Sequence, residues 1–120
     1  MLRAYVSAYQ SGDLNPRPDW RVVREAPATA TIDADNGLSI ILGPGFMSMA
    51  VEKARKSGVG LVNVRNAGHA GPIGHHAMVA AEQDMIGVVM SAGGAGVPPT
   101  FGAEGRFGTN PIAVAAPARN

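Results

Sequence analysis

The sequence contains no cysteine among its 120 residues. A disulfide framework and a thiolate metal site are therefore excluded, and the composition is compatible with a reducing cytoplasm. Ten basic and nine acidic residues give a formal charge of +1, which provides no basic face for nucleic acid or an anionic membrane. No window approaches the roughly 18 apolar residues of a membrane span, and a signal-peptide core is missing. We expect a cytoplasmic protein that binds neither nucleic acid nor membrane.

Charged residues are also scarce, at 16%, whereas apolar residues make up 46% of the chain. Such a composition is too hydrophobic and too weakly charged for a disordered protein. The length suffices for one compact domain with a core and is too short for two. We predict a single domain, with an N-terminal helix and linker over residues 1–20 and an α/β core over residues 21–120.

The first half of the chain predicts a helix, a linker, a hairpin and a second helix. Apolar residues recur at three- and four-residue spacing from Leu2 until Gly12, which is typical of a short amphipathic helix, and LNPRPDW continues as an extended linker. RVVRE and ATATID predict two strands of a hairpin, and Asn36-Gly37 is a turn signal. We expect Pro44 to open the second helix and Gly58 to end it.

The second half predicts strand, helix and strand. VGLVNV and MIGVVMS are apolar runs of strand length on either side of IGHHAMVAAEQD, which has helical composition. This order favours a crossover unit whose two strands are parallel and covered on both faces. A third apolar run, IAVAAP, follows the glycine-rich loop SAGGAGVPPTFGAEGRFG. A loop of that length without structure of its own is usually functional or mobile.

His69 stands just past the predicted end of the first of these strands, after Gly68. In α/β architectures, ligands collect in the crevice beyond the carboxyl ends of the strands. An imidazole at such a place can give or take a proton near physiological pH. The alternative is a loop histidine that caps the next helix or faces water, and the residues alone leave both interpretations open.

A metal site receives little support from the other two histidines. His75 and His76 are adjacent on a predicted helix, so they point about 100° apart. The nearest acidic residue is Glu82, and no two-histidine metalloprotease motif is present. We predict no metal, and a metal-dependent hydrolase that uses all three histidines ranks last among the hypotheses.

The glycine-rich loop and the turn that follows it contain the remaining candidates. Gly93-Gly94-Ala95-Gly96 is followed by Val-Pro-Pro rather than by a helix, so it is not a Rossmann fingerprint. Its amides can still line the path of an anionic cofactor, and a flexible connection is equally compatible. Ser91 lacks the frame of a nucleophile elbow. Thr109 and Asn110 offer a hydroxyl and an amide in a tight turn, where such groups often cap local backbone.

Taken together, NAGHAGPIGHHAMVAAEQDMIGVV and FGTNPIAVAAP resemble the malate/L-lactate dehydrogenase family that is unrelated to the Rossmann lactate dehydrogenases. GDLNPRP and ARKSGVGLVNV are similar as well, so the resemblance covers nearly the whole chain. It implies an α/β fold with a mixed sheet and packed helices, and a homodimer. Within the family, Gly68-His69-Ala70-Gly71 looks most like the ureidoglycolate dehydrogenase branch.

The resemblance also implies roles for individual residues. His69 would be the general base that removes the hydroxyl proton of a small 2-hydroxy acid, while NAD or NADP takes the hydride. Ser91 and Gly93 would contact the cofactor. The ureidoglycolate dehydrogenase branch has a cofactor-contacting serine at the position of Gly93, and glycine keeps only the backbone part of that contact. Thr109 and Asn110 would line the pocket near the substrate or the nicotinamide.

Two departures from the family pattern suggest a partial catalytic domain over residues 1–120. The family has an upstream S-H-G motif and an arginine suited to a substrate carboxylate, and Met1 stands at about the position of that arginine. The longer C-terminal part, which supplies most cofactor contacts, is also missing. We therefore expect an incomplete fold and no turnover by the isolated chain. The alternative is a truncated, non-catalytic homologue that acts as a binding or dimerisation module.

Overall fold

The computed structural model describes residues 2–118. They form two compact units, the first ending at Pro72 and the second beginning at Ile73. This division does not test the single partial domain expected over residues 1–120, which stays a prediction. Met1, at the position of the family's arginine, lies outside the described residues.

Five elements form the first unit and three form the second. The first unit contains α1 (Leu2–Ser11), β1 (Arg21–Glu25), β2 (Thr29–Gly37), α2 (Ser39–Ser57) and β3 (Leu61–Ala67). The second unit contains α3 (Ile73–Ala81), β4 (Gly87–Met90) and β5 (Ile112–Ala115). The predicted N-terminal helix, both hairpin strands, the helix after His69 and the three later strands are confirmed. None of the helices within residues 2–118 has the length and hydrophobicity of a membrane span.

The first unit has a mixed three-stranded sheet of order β1-β2-β3. β1 and β2 form the predicted antiparallel hairpin, whereas β2 and β3 are parallel and are joined through α2. The Asn36-Gly37 pair, predicted as a turn, lies in the irregular end of β2, where Asn36 adopts a φ of 56°.

The predicted crossover from β3 through α3 to β4 is wrong. β4 pairs antiparallel with β5 in a separate two-stranded ribbon, and the parallel pair of the chain is β2 with β3. Neither strand of the predicted crossover is covered on both faces, since Leu61 is 58% exposed and Met90 69% exposed. An apolar run indicates a strand, but it does not identify the strand's partner or what covers it.

The second helix begins five residues before the position predicted for it. Ser39 is its first residue, so Pro44 lies inside α2 and does not open it. Proline has no N–H to donate to the carbonyl four residues earlier, so α2 lacks that one backbone hydrogen bond at Pro44. The predicted end is confirmed, because Gly58 adopts a left-handed φ of 81° and its N–H donates to the Ala54 carbonyl.

The core of the first unit lies between β2 and α2. Ile32, Ala34 and Phe46 are buried there, and Trp20 packs edge-to-face on Phe46 with ring centroids 5.5 Å apart. Four half-buried side chains complete the cluster: Leu42, Met49, Val62 and Val64. Full burial of an aliphatic side chain such as that of Ile32 contributes about 1.5–3 kcal/mol.

The second unit is thinner, with α3 packed on the β4–β5 ribbon. Gly87 brings β4 so close to α3 that a Cβ atom there would overlap the Ala77 carbonyl oxygen. The loop between the strands has some structure, because Val97 and Phe107 form an isolated antiparallel bridge. Four apolar side chains of the ribbon are exposed: Val88, Met90, Ile112 and Val114.

Candidate active site

His69 lies two residues beyond the end of β3, at the carboxyl edge of the parallel β2–β3 pair. Two backbone hydrogen bonds hold its loop. The Gly68 N–H donates to the Gly37 carbonyl over 2.9 Å, and the Ile40 N–H donates to the His69 carbonyl over 3.1 Å. The loop is thereby attached to the end of β2 and the first turn of α2, while the His69 side chain stays exposed.

Gly68 and Gly71, the two glycines of the G-H-A-G motif, lie close to side chains of other segments. A Cβ atom at Gly68 would overlap Leu14 Cδ2. Gly71 has a φ of +65°, and a Cβ atom there would lie 2.6 Å from Ile40 Cδ1. The left-handed backbone at Gly71 disfavours a side chain there, so this glycine shapes the loop that carries the imidazole.

Tyr5 contacts His69 directly. Its hydroxyl oxygen lies 2.6 Å from His69 Nδ1, and the two ring centroids are 5.9 Å apart. Tyr5 lies in the helix predicted from Leu2 onward, and that prediction gave no indication of this pairing. Nothing local could have found it, because the two residues are 64 positions apart.

A buried carboxylate fixes the end of β3, just before His69. Asp33 accepts hydrogen bonds from Arg65 Nη2, Asn66 Nδ2 and the Asp35 N–H, each near 3.1 Å. The hydrogen bond from the Asp35 N–H does most to stabilise the ionised form of Asp33, followed by those from the Asn66 amide and the Arg65 guanidinium. The pKa of Asp33 therefore lies below its ordinary value. The segment that leads into the histidine loop is therefore anchored to β2.

The second unit brings together the other predicted site residues. The Gly93 N–H donates to Asn110 Oδ1 over 3.1 Å, and the Ser91 N–H donates to the Pro111 carbonyl over 3.2 Å. A Cβ atom at Gly93 would lie 3.8 Å from Thr109 Oγ1. The two segments on either side of the long loop thus meet, as a shared cofactor and substrate contact would require.

These four residues fit an uncharged part of a cofactor better than a pyrophosphate. None of Ser91, Gly93, Thr109 and Asn110 carries a charge, and between the glycines and residue 118 no helix begins that could receive an anion. The Gly93 amide is already engaged by Asn110, so a donor for phosphate is not available from it. The hydroxyl of exposed Thr109 and the open space beside Gly94 remain accessible.

The remaining histidines do not assemble a metal site. His75 is exposed, whereas His76 is 4% exposed, on different sides of α3. Among residues 2–118, no group of three or more histidine, aspartate or glutamate side chains could hold a metal ion. The hypothesis of a three-histidine hydrolase is left without a geometric basis in this part of the chain.

His69 lines neither of two cavities that open on the first unit. The larger, of about 410 Å³, lies between the β1–β2 turn and the end of α2, where Lys53 bridges Glu25 and the Ala26 carbonyl. The smaller, of about 60 Å³, includes Tyr9 and Leu38. Within the first unit, His69 is thus an open, solvent-facing group on a firmly held loop.

Comparison with known proteins now identifies the family. The sequence model of the malate/L-lactate dehydrogenase family matches residues 1–120. The chain belongs to this family, as the histidine loop and the G-T-N-P turn predicted.

Individual relatives agree with this assignment. The chain is 45% identical to malate dehydrogenase of Pyrococcus abyssi over 118 residues, which are 98% of this chain and 33% of that protein. It is 44% identical to L-sulfolactate dehydrogenase of Methanocaldococcus jannaschii over 92% of this chain and 32% of that protein. Identity to ureidoglycolate dehydrogenase (NAD(+)) of Escherichia coli is 34%, over 94% of this chain and 32% of that protein.

A solved structure confirms the fold. Malate dehydrogenase of Pyrococcus horikoshii superposes with a TM-score of 0.91 at 44% identity, over 99% of this chain and 34% of that chain. The predicted α/β fold with a mixed sheet and packed helices, of the non-Rossmann malate/L-lactate dehydrogenase type, is therefore confirmed. The chain spans about a third of the length of the curated relatives it matches.

Proposed function

We propose that this chain carries the histidine-bearing part of an oxidoreductase that transfers a hydride between NAD or NADP and a small 2-hydroxy or 2-keto acid. The observation that carries the proposal is the exposed imidazole of His69 on a loop held at the carboxyl edge of β2 and β3. Relatives named malate, L-sulfolactate and ureidoglycolate dehydrogenases support the substrate class.

In the proposed reaction, His69 takes the hydroxyl proton of the alcohol and returns it when a keto acid is reduced. The nicotinamide supplies the hydride chemistry when bound. Ser91 and Gly93 contact the cofactor, and Thr109 and Asn110 line the pocket near the substrate or the nicotinamide. We further propose a cytoplasmic homodimer, as the family resemblance implies.

The proposal can be tested in a chimera, because this chain spans about a third of the length of the relatives it matches. This chain would replace the matching third of the Pyrococcus horikoshii malate dehydrogenase, whose fold it shares. We expect the chimera to reduce the nicotinamide cofactor in the presence of malate. His69→Gln should lower kcat by about 10²- to 10⁴-fold, the usual contribution of a general base.

The matched control is His75→Gln, which removes an exposed imidazole from α3. Its kcat should stay within about twofold of the parent value, since surface substitutions rarely matter. Full activity of His69→Gln, with the His75→Gln control also active, would refute the role of His69.

A second candidate function is a non-catalytic binding or dimerisation module. The exposed apolar side chains of the β4–β5 ribbon favour it, because contiguous apolar surface marks contact sites. Turnover by the chimera discriminates between the two candidates. Oxidation of malate that depends on His69 supports the dehydrogenase, whereas an inactive chimera together with self-association of the isolated chain supports the module.

A further inference from the structure

The two ring nitrogens of His69 have different surroundings. Nδ1 lies 2.6 Å from the Tyr5 hydroxyl, whereas no residue in the described part of the chain hydrogen-bonds Nε2. The histidine side chain is exposed and the tyrosine half-buried, so the open side of the pair is the imidazole. We propose that Tyr5 is a positioning residue that accepts a hydrogen bond from Nδ1–H and thereby presents Nε2 as the proton-exchanging atom.

The fold holds the two residues together through more than this one contact. α1 has no buried residue of its own. Leu14, which follows α1, is buried; its N–H donates to the Ala8 carbonyl over 3.0 Å, and its side chain fills the space above Gly68. Leu14 therefore connects the end of α1 to the histidine loop. Tyr5, about one turn before Ala8 in α1, makes a second contact with the same loop through His69.

The direction of the hydrogen bond follows from the proposed reaction, on which this inference rests. A general base must have a lone pair on the nitrogen that faces the alcohol, so neutral His69 must carry its hydrogen on the other nitrogen. The tyrosine oxygen can accept from Nδ1–H both when the ring is neutral and when it is an imidazolium. The same hydrogen bond then persists throughout the proton transfer.

The step is balanced without any change in Tyr5. As the C–H electron pair leaves the substrate carbon as a hydride, the hydroxyl O–H bond breaks and an Nε2–H bond forms. Nδ1 keeps its hydrogen, and the phenol keeps its own. In the reverse direction Nε2 returns the proton to the carbonyl oxygen. Tyr5 selects a tautomer and an orientation, and it exchanges no proton with the substrate.

The tautomer can be measured in the isolated chain by NMR with ¹⁵N-labelled histidine, at a pH where the imidazole is neutral. Long-range ¹H–¹⁵N correlations identify which ring nitrogen carries the hydrogen. We expect Nδ1–H for His69 in the parent chain and a change toward Nε2–H, the form favoured by free imidazole side chains, in Tyr5→Phe.

Tyr9→Phe is the matched control, because Tyr9 lies one turn further along α1 and no described residue hydrogen-bonds its hydroxyl. The His69 signals of this variant should match those of the parent. An Nε2–H tautomer in the parent chain, or identical His69 signals in Tyr5→Phe, would overturn the inference.

Activity of the chimera separates this inference from the proposed function. Tyr5→Phe should lower kcat by about 10- to 100-fold through loss of orientation, with KM little changed. It should have no further effect when His69→Gln is already present, since both act through one imidazole. If His69→Gln leaves turnover intact, the proposed function fails, whereas the NMR result still decides whether Tyr5 sets the tautomer.

Discussion

The two units of the chain bury apolar side chains in different ways. In the first, the central strand β2 is covered by α2, and Ile32 and Ala34 are fully buried. In the second, α3 covers one face of the β4–β5 ribbon, and Val88 and Val114 on the other face stay about half exposed or more. The stretch TATIDAD, which includes polar residues, has four buried positions, whereas the apolar stretch GVVM has one buried and two exposed positions. The number of layers around a strand, more than its own composition, decides its burial.

The largest predicted effect is a cavity in the first unit. Ile32→Ala should cost about 2–5 kcal/mol, because a fully buried side chain leaves a void that its surroundings only partly fill. Val114→Ala in the ribbon should stay within about 0.5 kcal/mol. Denaturant unfolding followed by the fluorescence of Trp20, which packs on Phe46, measures the first effect directly.

Hydrogen exchange of the β5 amides measures the effect of Val114→Ala, so both units can be compared. Equal losses for the two substitutions would contradict the view that only the first unit has a closed core.

A smaller effect is predicted where α3 approaches β4. Gly87→Ala should cost about 1–3 kcal/mol, the usual range for overpacking, because the new methyl group would overlap the Ala77 carbonyl oxygen. Faster amide exchange in α3, with Trp20 fluorescence unchanged, is the expected signature. Gly94→Ala is the control, since a Cβ atom there meets nothing within 4 Å. Unchanged exchange in Gly87→Ala would show that α3 and β4 are less tightly packed than the structure indicates.

The sequence predicted the local elements better than their assembly. Helical periodicity located α1, and Gly58 located the end of α2, because both signals depend on neighbouring residues. The start of α2 was misplaced because a proline at a first turn is common and a proline inside a helix is rare. The partner of β4 could not be deduced, since strand pairing depends on the whole fold.

The candidate site was predictable to the same limited extent. The glycines beside His69 marked the loop, and the structure attributes them to contacts with Leu14 and Ile40. The grouping of Gly93 with Thr109 and Asn110 was suggested only by the family resemblance. Tyr5 was missed, because a hydrogen bond between residues so distant in sequence leaves no local pattern.

A pH-dependent effect is predicted for the polar contact that anchors β3. The pKa of Asp33 is lowered in the folded protein, so its ionised form stabilises the fold above the unfolded value of about 3.9. That stability is lost as the pH falls through the lower folded pKa. Asp33→Asn removes the titration, and its unfolding temperature should therefore fall less than that of the parent between about pH 5 and about pH 2.

Thermal unfolding at a series of pH values, followed by Trp20 fluorescence, tests this expectation. Asp19→Asn is the control, because the exposed Asp19 carboxylate makes no hydrogen bond with any residue in the 2–118 range. The control should keep the acid sensitivity of the parent. Identical acid sensitivity in Asp33→Asn and the parent would mean that the Asp33 contacts do not stabilise the folded state.

The smallest effect on stability, with a clear effect on association, is predicted for the open face of the ribbon. Ile112 is 68% exposed and Val114 65% exposed, and Met90 pairs with Ile112 across the strands. Four apolar side chains on one open face should make the isolated chain self-associate at high concentration. Val114→Lys should weaken that association, visible in sedimentation velocity as a shift toward monomer, while folding stability changes little.

The control is Val59→Lys, which adds the same charge at a 63% exposed position of the first unit and should leave the association unchanged. If both variants reduce it equally, net charge is the cause; if the parent chain stays monomeric at every concentration, the exposed face does not drive association. Only a selective effect of Val114→Lys would show that self-association occurs through the exposed apolar face of the β4–β5 ribbon. The second unit would then depend on a partner to cover that face.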